Sequence, residues 1–141
     1  MLSADKKNII LICLLSVAAH LPGITSPLLD IQCWRQTQTA SIARNYHENG
    51  YQFLNPQINW EGAYAGKVST EFPAYNYLMA VLWPAAGLGD IWGRILSSLF
   101  ALLAAIYLYL LVKELINEKT ALVSALVFCV LPMGIYFTRT V

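Results

Sequence analysis

The sequence has few charged residues, and this scarcity decides the class of protein. Only 12% of its 141 residues are charged, whereas 57% are hydrophobic. Soluble globular domains carry about 25% charged residues. The nine basic and eight acidic residues leave a net charge of +1, too little to form the basic surface that nucleic acids require. The composition predicts an integral membrane protein that contacts membrane lipids and binds no nucleic acid.

Cysteine and histidine are also scarce. Cys13, Cys33 and Cys129 are an odd number and lack the short spacing of metal ligands. Neither His20 nor His47 has a second histidine, a cysteine or a carboxylate at ligand spacing. The sequence therefore predicts neither a disulfide framework nor a metal site.

Long stretches without charge predict three membrane spans. Residues 1–7 form a polar head whose Lys6 and Lys7 place it in the cytoplasm by the positive-inside rule. A first transmembrane helix is predicted over 8–25, since about 20 apolar residues cross the hydrocarbon. A cleaved signal peptide is the alternative reading, but the uncharged run continues to Leu29.

Two further spans are predicted over 95–112 and 120–138, joined by a cytoplasmic turn at 113–119. The uncharged segment 73–88 is interrupted by proline and glycine. If it also crossed the membrane, Lys113 and Lys119 would lie outside, against the positive-inside rule. We therefore predict an interfacial or re-entrant helix over 73–88 on the outer leaflet.

The polar residues concentrate in the predicted external loop, 26–94. A juxtamembrane helix is predicted over 34–49, with Trp34, Ile42, Ala43 and Tyr46 on one face and Gly50 as its stop. Residues 51–70 are predicted to form an irregular loop. The predicted fold class is an all-α integral membrane protein with three transmembrane helices and two external juxtamembrane helices, a fragment of a larger polytopic bundle.

Three blocks resemble the beginning of polytopic glycosyltransferases of the C superfamily, which includes protein O-mannosyltransferases and lipid A aminoarabinose transferases. Residues 34–46 resemble the first juxtamembrane helix of the bacterial members. Residues 71–77 are similar to the acidic residue, proline and tyrosine that open the second one. Residues 89–99, with Trp92 and Arg94, resemble the entry to the second span.

The resemblance implies transfer of a sugar from a polyprenyl phosphate carrier to an acceptor on the external face of the bacterial inner membrane. It implies a lipid-linked sugar as the donor substrate and an acceptor of unknown identity. It leaves open whether a divalent metal takes part in the reaction. Since these enzymes have more than three spans, the chain is expected to be an N-terminal piece without activity alone. The alternative is a non-enzymatic membrane protein with an external interaction loop.

Asp30 and Glu71 are the candidate catalytic residues, because a carboxylate beside the acceptor hydroxyl can act as general base. The alignment with the family motif puts Arg35 and Gln36 where its members carry an acidic residue, and Asp30 lies five residues earlier. Either carboxylate has a simpler reading. Asp30 would cap a helix or mark the membrane edge, and Glu71 would cap the helix that follows Pro73.

Arg35, Arg44 and Lys67 are the candidate substrate-binding residues. Arginine binds phosphate through two parallel hydrogen bonds, which suits Arg35 to the donor phosphate. Arg44 is nine residues away and is assigned to packing or to an acidic partner, while Lys67 is a second candidate for phosphate. The competing reading is that these arginines are solvated side chains of an interfacial helix.

Overall fold

The computed structural model describes residues 4–25, 33–59, 66–68, 71–86, 89 and 91–139. Within these residues the chain is all-helical, as predicted, and forms no strand; its helices are α1 (Ala4–His20), α2 (Cys33–Asn49), α3 (Ala74–Ala86), α4 (Ile91–Leu115), α5 (Glu118–Val130) and α6 (Pro132–Arg139). The chain divides into two compact units. Unit 1 comprises Met1–Thr25 and Arg94–Thr140, and unit 2 comprises Ser26–Gly93 and Val141.

Three helices of unit 1 each bury a set of side chains spaced four residues apart. These sets are Ile12, Ser16 and His20 on α1, Ala101, Ala105 and Tyr109 on α4, and Ala121, Ala125 and Cys129 on α5. A spacing of four residues puts each set on one helix face. Small residues on such a face let helix backbones approach closely, as they do in membrane proteins.

One described helix is long and apolar enough to cross a membrane. It is α4, whose 25 residues extend about 37 Å at the α-helical rise. Only 17% of its most apolar 18-residue stretch is buried, so most of its large apolar side chains face outward. The helices α5 and α6 are long and apolar enough to cross a membrane only when taken together, and they are bent by 64° relative to each other. Three complete spans are therefore not established.

The first helix lies nearer to the N-terminus than predicted. The helix α1 begins at Ala4 and ends at His20, whereas the prediction was 8–25. The chain leaves the helix at Pro22 and Gly23, and Gly23 has a positive φ of 81°. Proline has no backbone N–H to donate, and a positive φ favours glycine, so residues 22–25 form turns rather than helix.

The third predicted span is not one straight helix. At Leu131 the backbone turns to an extended conformation, with φ of −60° and ψ of 118°, between α5 and α6. Pro132 is the cause, because proline disfavours the helical conformation of the residue before it. It also begins α6 well, since the first residue of a helix needs no intrahelical donor.

A polar cluster joins three helices of unit 1 at the end opposite to His20. The carboxylate Oδ1 of Asp5 accepts hydrogen bonds from Lys113 Nζ at 2.5 Å and from the Tyr109 hydroxyl at 2.9 Å. Asn8 donates to Glu118 Oε1 at 2.7 Å. The hydrogen bond from Lys113 lowers the pKa of Asp5, and the same bond raises the pKa of Lys113. The ion pair ties α1 to α4 only while both charges are present, and the Asn8–Glu118 bond joins α1 to α5 independently of that pair.

We expect this cluster to make stability depend on pH at both extremes. The lowered pKa of Asp5 stabilises the fold above its unfolded value of about 3.9, and that contribution is lost as pH falls through the folded pKa. The raised pKa of Lys113 stabilises the fold below about 10.4, and is lost as pH rises through its folded pKa. Thermal unfolding in detergent should show Asp5→Asn less stable than wild type at neutral pH and equally stable in acid. A difference that persists in acid would contradict this assignment.

Unit 2 is built from α2, α3 and the segment between them. The helix α2 corresponds to the prediction over 34–49 and buries Gln36, Ile42, Ala43, Asn45 and Tyr46. Trp34 was predicted to lie on the same face, but its side chain is 68% exposed. The Tyr46 ring packs edge-on against Tyr77 of α3 at 5.5 Å, and its hydroxyl donates to the Phe53 carbonyl at 2.7 Å. One tyrosine thus connects both helices and the intervening segment.

The segment predicted as an irregular loop, 51–70, contains one short pairing. Gln57 and Lys67 form an isolated antiparallel bridge. Ile58 N–H donates to the Gly66 carbonyl at 2.9 Å, and Val68 N–H donates to the Pro56 carbonyl at 3.0 Å. These two bonds hold 56–58 beside 66–68.

Gly66 is required for this pairing. Its φ is +58°, and a Cβ at this position would lie 2.0 Å from the Ile58 carbonyl oxygen. Real side chains do not approach a backbone oxygen so closely, and a positive φ already disfavours residues other than glycine. Any larger residue would therefore separate the two segments.

Candidate functional site

Arg35 and Glu71, which are 36 positions apart in the sequence, meet in unit 2. Arg35 Nη2 donates to Glu71 Oε1 at 2.5 Å, and each side chain is 63% exposed. Arg35 lies in the first turn of α2, and Glu71 precedes α3 by three residues. The packing of α2 against α3 therefore sets the separation of the two charges.

The pair lines a polar cleft of about 110 Å³. Gln38 and Thr39 face it from α2, and Asn76 faces it from the first turn of α3. Residues three and four apart on a helix share a side, which explains why Arg35, Gln38 and Thr39 reach the same cleft. The cleft thus combines one cation, one carboxylate, two amides and a hydroxyl.

The cleft lies at the positive end of α2. The first turn of this helix carries no acidic residue, and among the described residues Glu71 supplies the carboxylate next to it. Backbone N–H groups at a helix N-terminus attract anions, and Arg35 adds a full positive charge in the same turn. An anionic group such as phosphate is the ligand that this end of the cleft favours.

The ion pair itself is weak enough to exchange partners. Ion pairs exposed to solvent contribute about 0–1 kcal/mol, because water competes for both charges and two flexible side chains must be ordered. Both Arg35 and Glu71 are mostly exposed. A phosphate that offers Arg35 two oxygens can therefore displace the carboxylate at little cost.

Two of the remaining predicted site residues, Arg44 and Lys67, lie outside the cleft. Asp30 is outside the described residues. Arg44 is exposed and follows Arg35 by about two and a half helical turns, which puts it on the opposite side of α2 and about 13.5 Å along the axis. Lys67 is exposed in the pairing with Gln57. Neither cation lines the cleft, and their assignment to substrate binding stays a prediction.

Asn45 is a positioning residue that the sequence analysis missed. It is buried, and its amide nitrogen donates to the Gln57 carbonyl and to Asn59 Oδ1, both at 2.8 Å. These bonds fix residues 56–59 against α2, where Pro56 lines the cleft. A signal was available in the sequence, because Asn45 falls on the same helical arc as Ile42 and Tyr46.

Among the described residues, no group of three or more His, Cys, Asp or Glu side chains is placed to hold a metal ion. The described part of the cleft contributes one carboxylate, Glu71, and two amides. Magnesium and calcium favour several oxygen ligands, usually with carboxylates among them. The chemistry of these residues is therefore better matched to an anion at Arg35 than to a cation.

Comparison with known proteins assigns no family to this chain. No protein-family model matches it, and no match is found among the curated proteins or among the solved structures. Its function is therefore inferred from the geometry of unit 2 and from the chemistry of its residues.

Proposed function

We propose that the chain is the N-terminal segment of an integral-membrane glycosyltransferase that transfers a sugar from a polyprenyl phosphate to an acceptor on the external face of the bacterial inner membrane. The observation that carries this proposal is the meeting of Arg35 and Glu71 in one polar cleft. Such a transfer needs a cation for the departing phosphate and a base for the attacking hydroxyl. The cleft contains one of each.

Each residue has a defined part in the proposed reaction. Glu71 removes the proton of the acceptor hydroxyl while the acceptor oxygen forms a bond to the anomeric carbon of the sugar. The bond from that carbon to the phosphate oxygen breaks, and Arg35 stabilises the polyprenyl phosphate that leaves. Asp30 is the alternative base, and Glu71 would then orient the acceptor.

The ion pair gives this reaction an order of events. Without donor, Arg35 and Glu71 neutralise each other across 2.5 Å. When the donor binds, its phosphate replaces the Glu71 carboxylate as the partner of Arg35. The carboxylate then becomes available to accept a proton. The carboxylate is thus freed as a base only when the sugar to be transferred is in place.

The membrane location is supported by the surfaces of unit 1. Large apolar side chains of α4 such as Leu103 and Tyr107 are exposed, and soluble proteins rarely expose a contiguous patch of this kind. We propose that α1, α4 and the bent pair α5–α6 each cross the bilayer. Lys6, Lys113 and Lys119 then lie in the cytoplasm, and residues 26–94 lie outside.

Loss of the Arg35 charge is expected to weaken binding of a polyprenyl phosphate by about tenfold to a hundredfold, because a hydrogen bond to a charged group contributes about 1.5–3 kcal/mol. The purified chain in detergent would be titrated with undecaprenyl phosphate by microscale thermophoresis. Arg35→Gln should show the loss, and Arg35→Lys should show a smaller one because lysine keeps the charge without the planar fork.

Two controls make this titration specific for the phosphate. Undecaprenol, which has the same tail and no phosphate, should bind wild type and Arg35→Gln equally. Lys119→Gln removes one positive charge from the exposed start of α5 in unit 1 and should bind undecaprenyl phosphate like wild type. Equal affinity of Arg35→Gln and wild type for undecaprenyl phosphate would refute the phosphate site.

The second candidate is a non-enzymatic membrane protein whose external stretch binds a partner. It is favoured by two strongly exposed apolar side chains of unit 2, Leu54 and Phe72. On that reading the ion pair is a surface feature, and the complete protein would show no sugar transfer. An assay of the complete protein in membranes with a polyprenyl phosphate sugar separates the two candidates.

A further inference from the structure

We infer that a groove adjoining the cleft binds the sugar ring of the donor, an inference that rests on the proposed function. The groove, here called the Trp34 groove, has a volume of about 280 Å³. It is lined by Trp34, Thr37, Gln38, Ser41, Ile58 and Asn59. Sites for small molecules begin at about 300 Å³, so the groove suits one monosaccharide rather than an oligosaccharide.

The groove and the phosphate cleft share two residues, Trp34 and Gln38. In a polyprenyl phosphate sugar, one oxygen atom joins the phosphorus to the anomeric carbon. A sugar subsite must therefore begin where the phosphate site ends. The Trp34 groove meets this requirement, because Trp34 directly precedes Arg35 in the first turn of α2.

Trp34 supplies the apolar surface of the subsite. Its side chain is 68% exposed, although it stands in a unit with a packed aromatic core. A sugar ring has an apolar C–H face that stacks on an aromatic ring, and a rim of hydroxyls that needs hydrogen-bond partners. Large apolar surface with a few convergent polar groups is the general character of small-molecule sites.

The polar groups around Trp34 come from both walls of the groove. Gln38 faces it from α2, and Asn59 faces it from the opposite segment, where the bond from Asn45 orients the Asn59 amide. Thr37 donates its hydroxyl hydrogen within α2, to the Cys33 carbonyl at 2.7 Å or the Trp34 carbonyl at 3.0 Å, so its oxygen is left as an acceptor. Sugar hydroxyls both donate and accept, so they match this mixed set.

The hydroxyl of Ser41 is the observation that points to a polar ligand in the groove. Its hydroxyl oxygen is buried and has no hydrogen-bond partner among the described residues, although the residue lines the groove. A buried polar group without a partner is costly, so proteins rarely leave one. Rotation of the Ser41 side chain about its Cα–Cβ bond would bring this hydroxyl to the groove, where a sugar hydroxyl would satisfy it and a lipid tail would not.

The rival explanation makes Trp34 a membrane anchor, since tryptophan is enriched at membrane interfaces. A membrane anchor needs an exposed indole but no polar side chains arranged around it. It gives no account of the Ser41 hydroxyl or of the amides that face the same groove. Sugar binding accounts for all three and is therefore the interpretation we test.

Three small probes separate the sugar subsite from the phosphate site. The purified 141-residue chain in detergent would be studied by saturation-transfer NMR and by titration. The methyl glycosides of glucose, mannose and galactose probe the Trp34 groove alone, and methyl phosphate probes Arg35 alone. The corresponding hexose 1-phosphates probe both. We expect at least one hexose 1-phosphate to bind about tenfold more tightly than methyl phosphate.

The variants are chosen to remove the groove without unfolding unit 2. Trp34→Ala should abolish the advantage of the hexose 1-phosphate over methyl phosphate, and Trp34→Phe should retain most of it because phenylalanine keeps an aromatic face. Ser41→Ala should weaken methyl glycoside binding by about threefold or more. Tyr107→Ala removes an equally exposed aromatic ring, in unit 1, and should change nothing.

The outcomes distinguish failure of the groove from failure of the phosphate site. If no methyl glycoside binds and each hexose 1-phosphate binds only as tightly as methyl phosphate, the sugar subsite is overturned and the Arg35 site stands. If methyl phosphate does not bind while a methyl glycoside does, the groove stands and the phosphate assignment fails. Unchanged glycoside binding in both Trp34→Ala and Ser41→Ala also overturns the inference.

Discussion

Under the proposed mechanism, Glu71→Gln is expected to lower sugar transfer by the complete protein by about a hundredfold to ten-thousandfold, the usual contribution of a general base. Glutamine keeps the size and the hydrogen-bonding shape of glutamate but cannot accept the proton of the acceptor hydroxyl. Binding of the donor should not fall, because Arg35 loses a competitor. The measurement is initial rate and donor affinity in membranes, with a polyprenyl phosphate sugar as substrate.

Two controls distinguish a base from a structural partner. Glu48→Gln removes an exposed carboxylate from α2 at a position outside the cleft lining, and should leave transfer unchanged. The double exchange Arg35→Glu with Glu71→Arg keeps opposite charges facing each other. It puts the carboxylate at position 35 and the guanidinium at position 71, so neither proposed role is filled from its original place. A purely structural ion pair would be rescued by this exchange, whereas the proposed chemistry would not. Full activity in Glu71→Gln would assign the base elsewhere, with Asp30 as the next candidate.

The sequence predicts the helical content well because hydrophobic periodicity and helix stops are local signals. The prediction over 34–49 differs from α2 by one residue at its start, and Gly50 follows the helix with a positive φ. The predicted helix bounds differ from the structure where one residue interrupts a long apolar run. Pro22 and Pro132 do this in the first and third predicted spans, since each lacks a backbone donor and restricts the residue before it.

The site is only partly predictable from the sequence. Arg35 and Glu71 are identified by residue type and by the resemblance, but their contact depends on how α2 packs on α3, which no local pattern specifies. The pairing around Gly66 is equally hidden, because a glycine in a polar loop is common and its close approach to Ile58 is visible only in three dimensions. Tertiary contacts of this kind bring together residues that are distant in the sequence.

Ala125→Leu is expected to destabilise unit 1 by about 1–3 kcal/mol, the usual cost of adding atoms to a well-packed interior. Ala125 is completely buried and lies between Ala121 and Cys129 on the face of α5. These residues share one apolar cluster with Ile12 of α1. The small side chains on this face let α1 and α5 pack closely, so a larger side chain at position 125 forces the two helices apart.

Val123→Leu is the matched control, since Val123 is on the same helix and 61% exposed. It adds a methylene group to the outward surface and should leave stability within about 0.5 kcal/mol of wild type. Both variants would be unfolded thermally and by denaturing detergent in the same micelles. If Ala125→Leu were as stable as Val123→Leu, the close approach of α1 and α5 would not be what holds unit 1 together. A loss confined to Ala125→Leu would instead show that the small residues at every fourth position specify the packing of these helices.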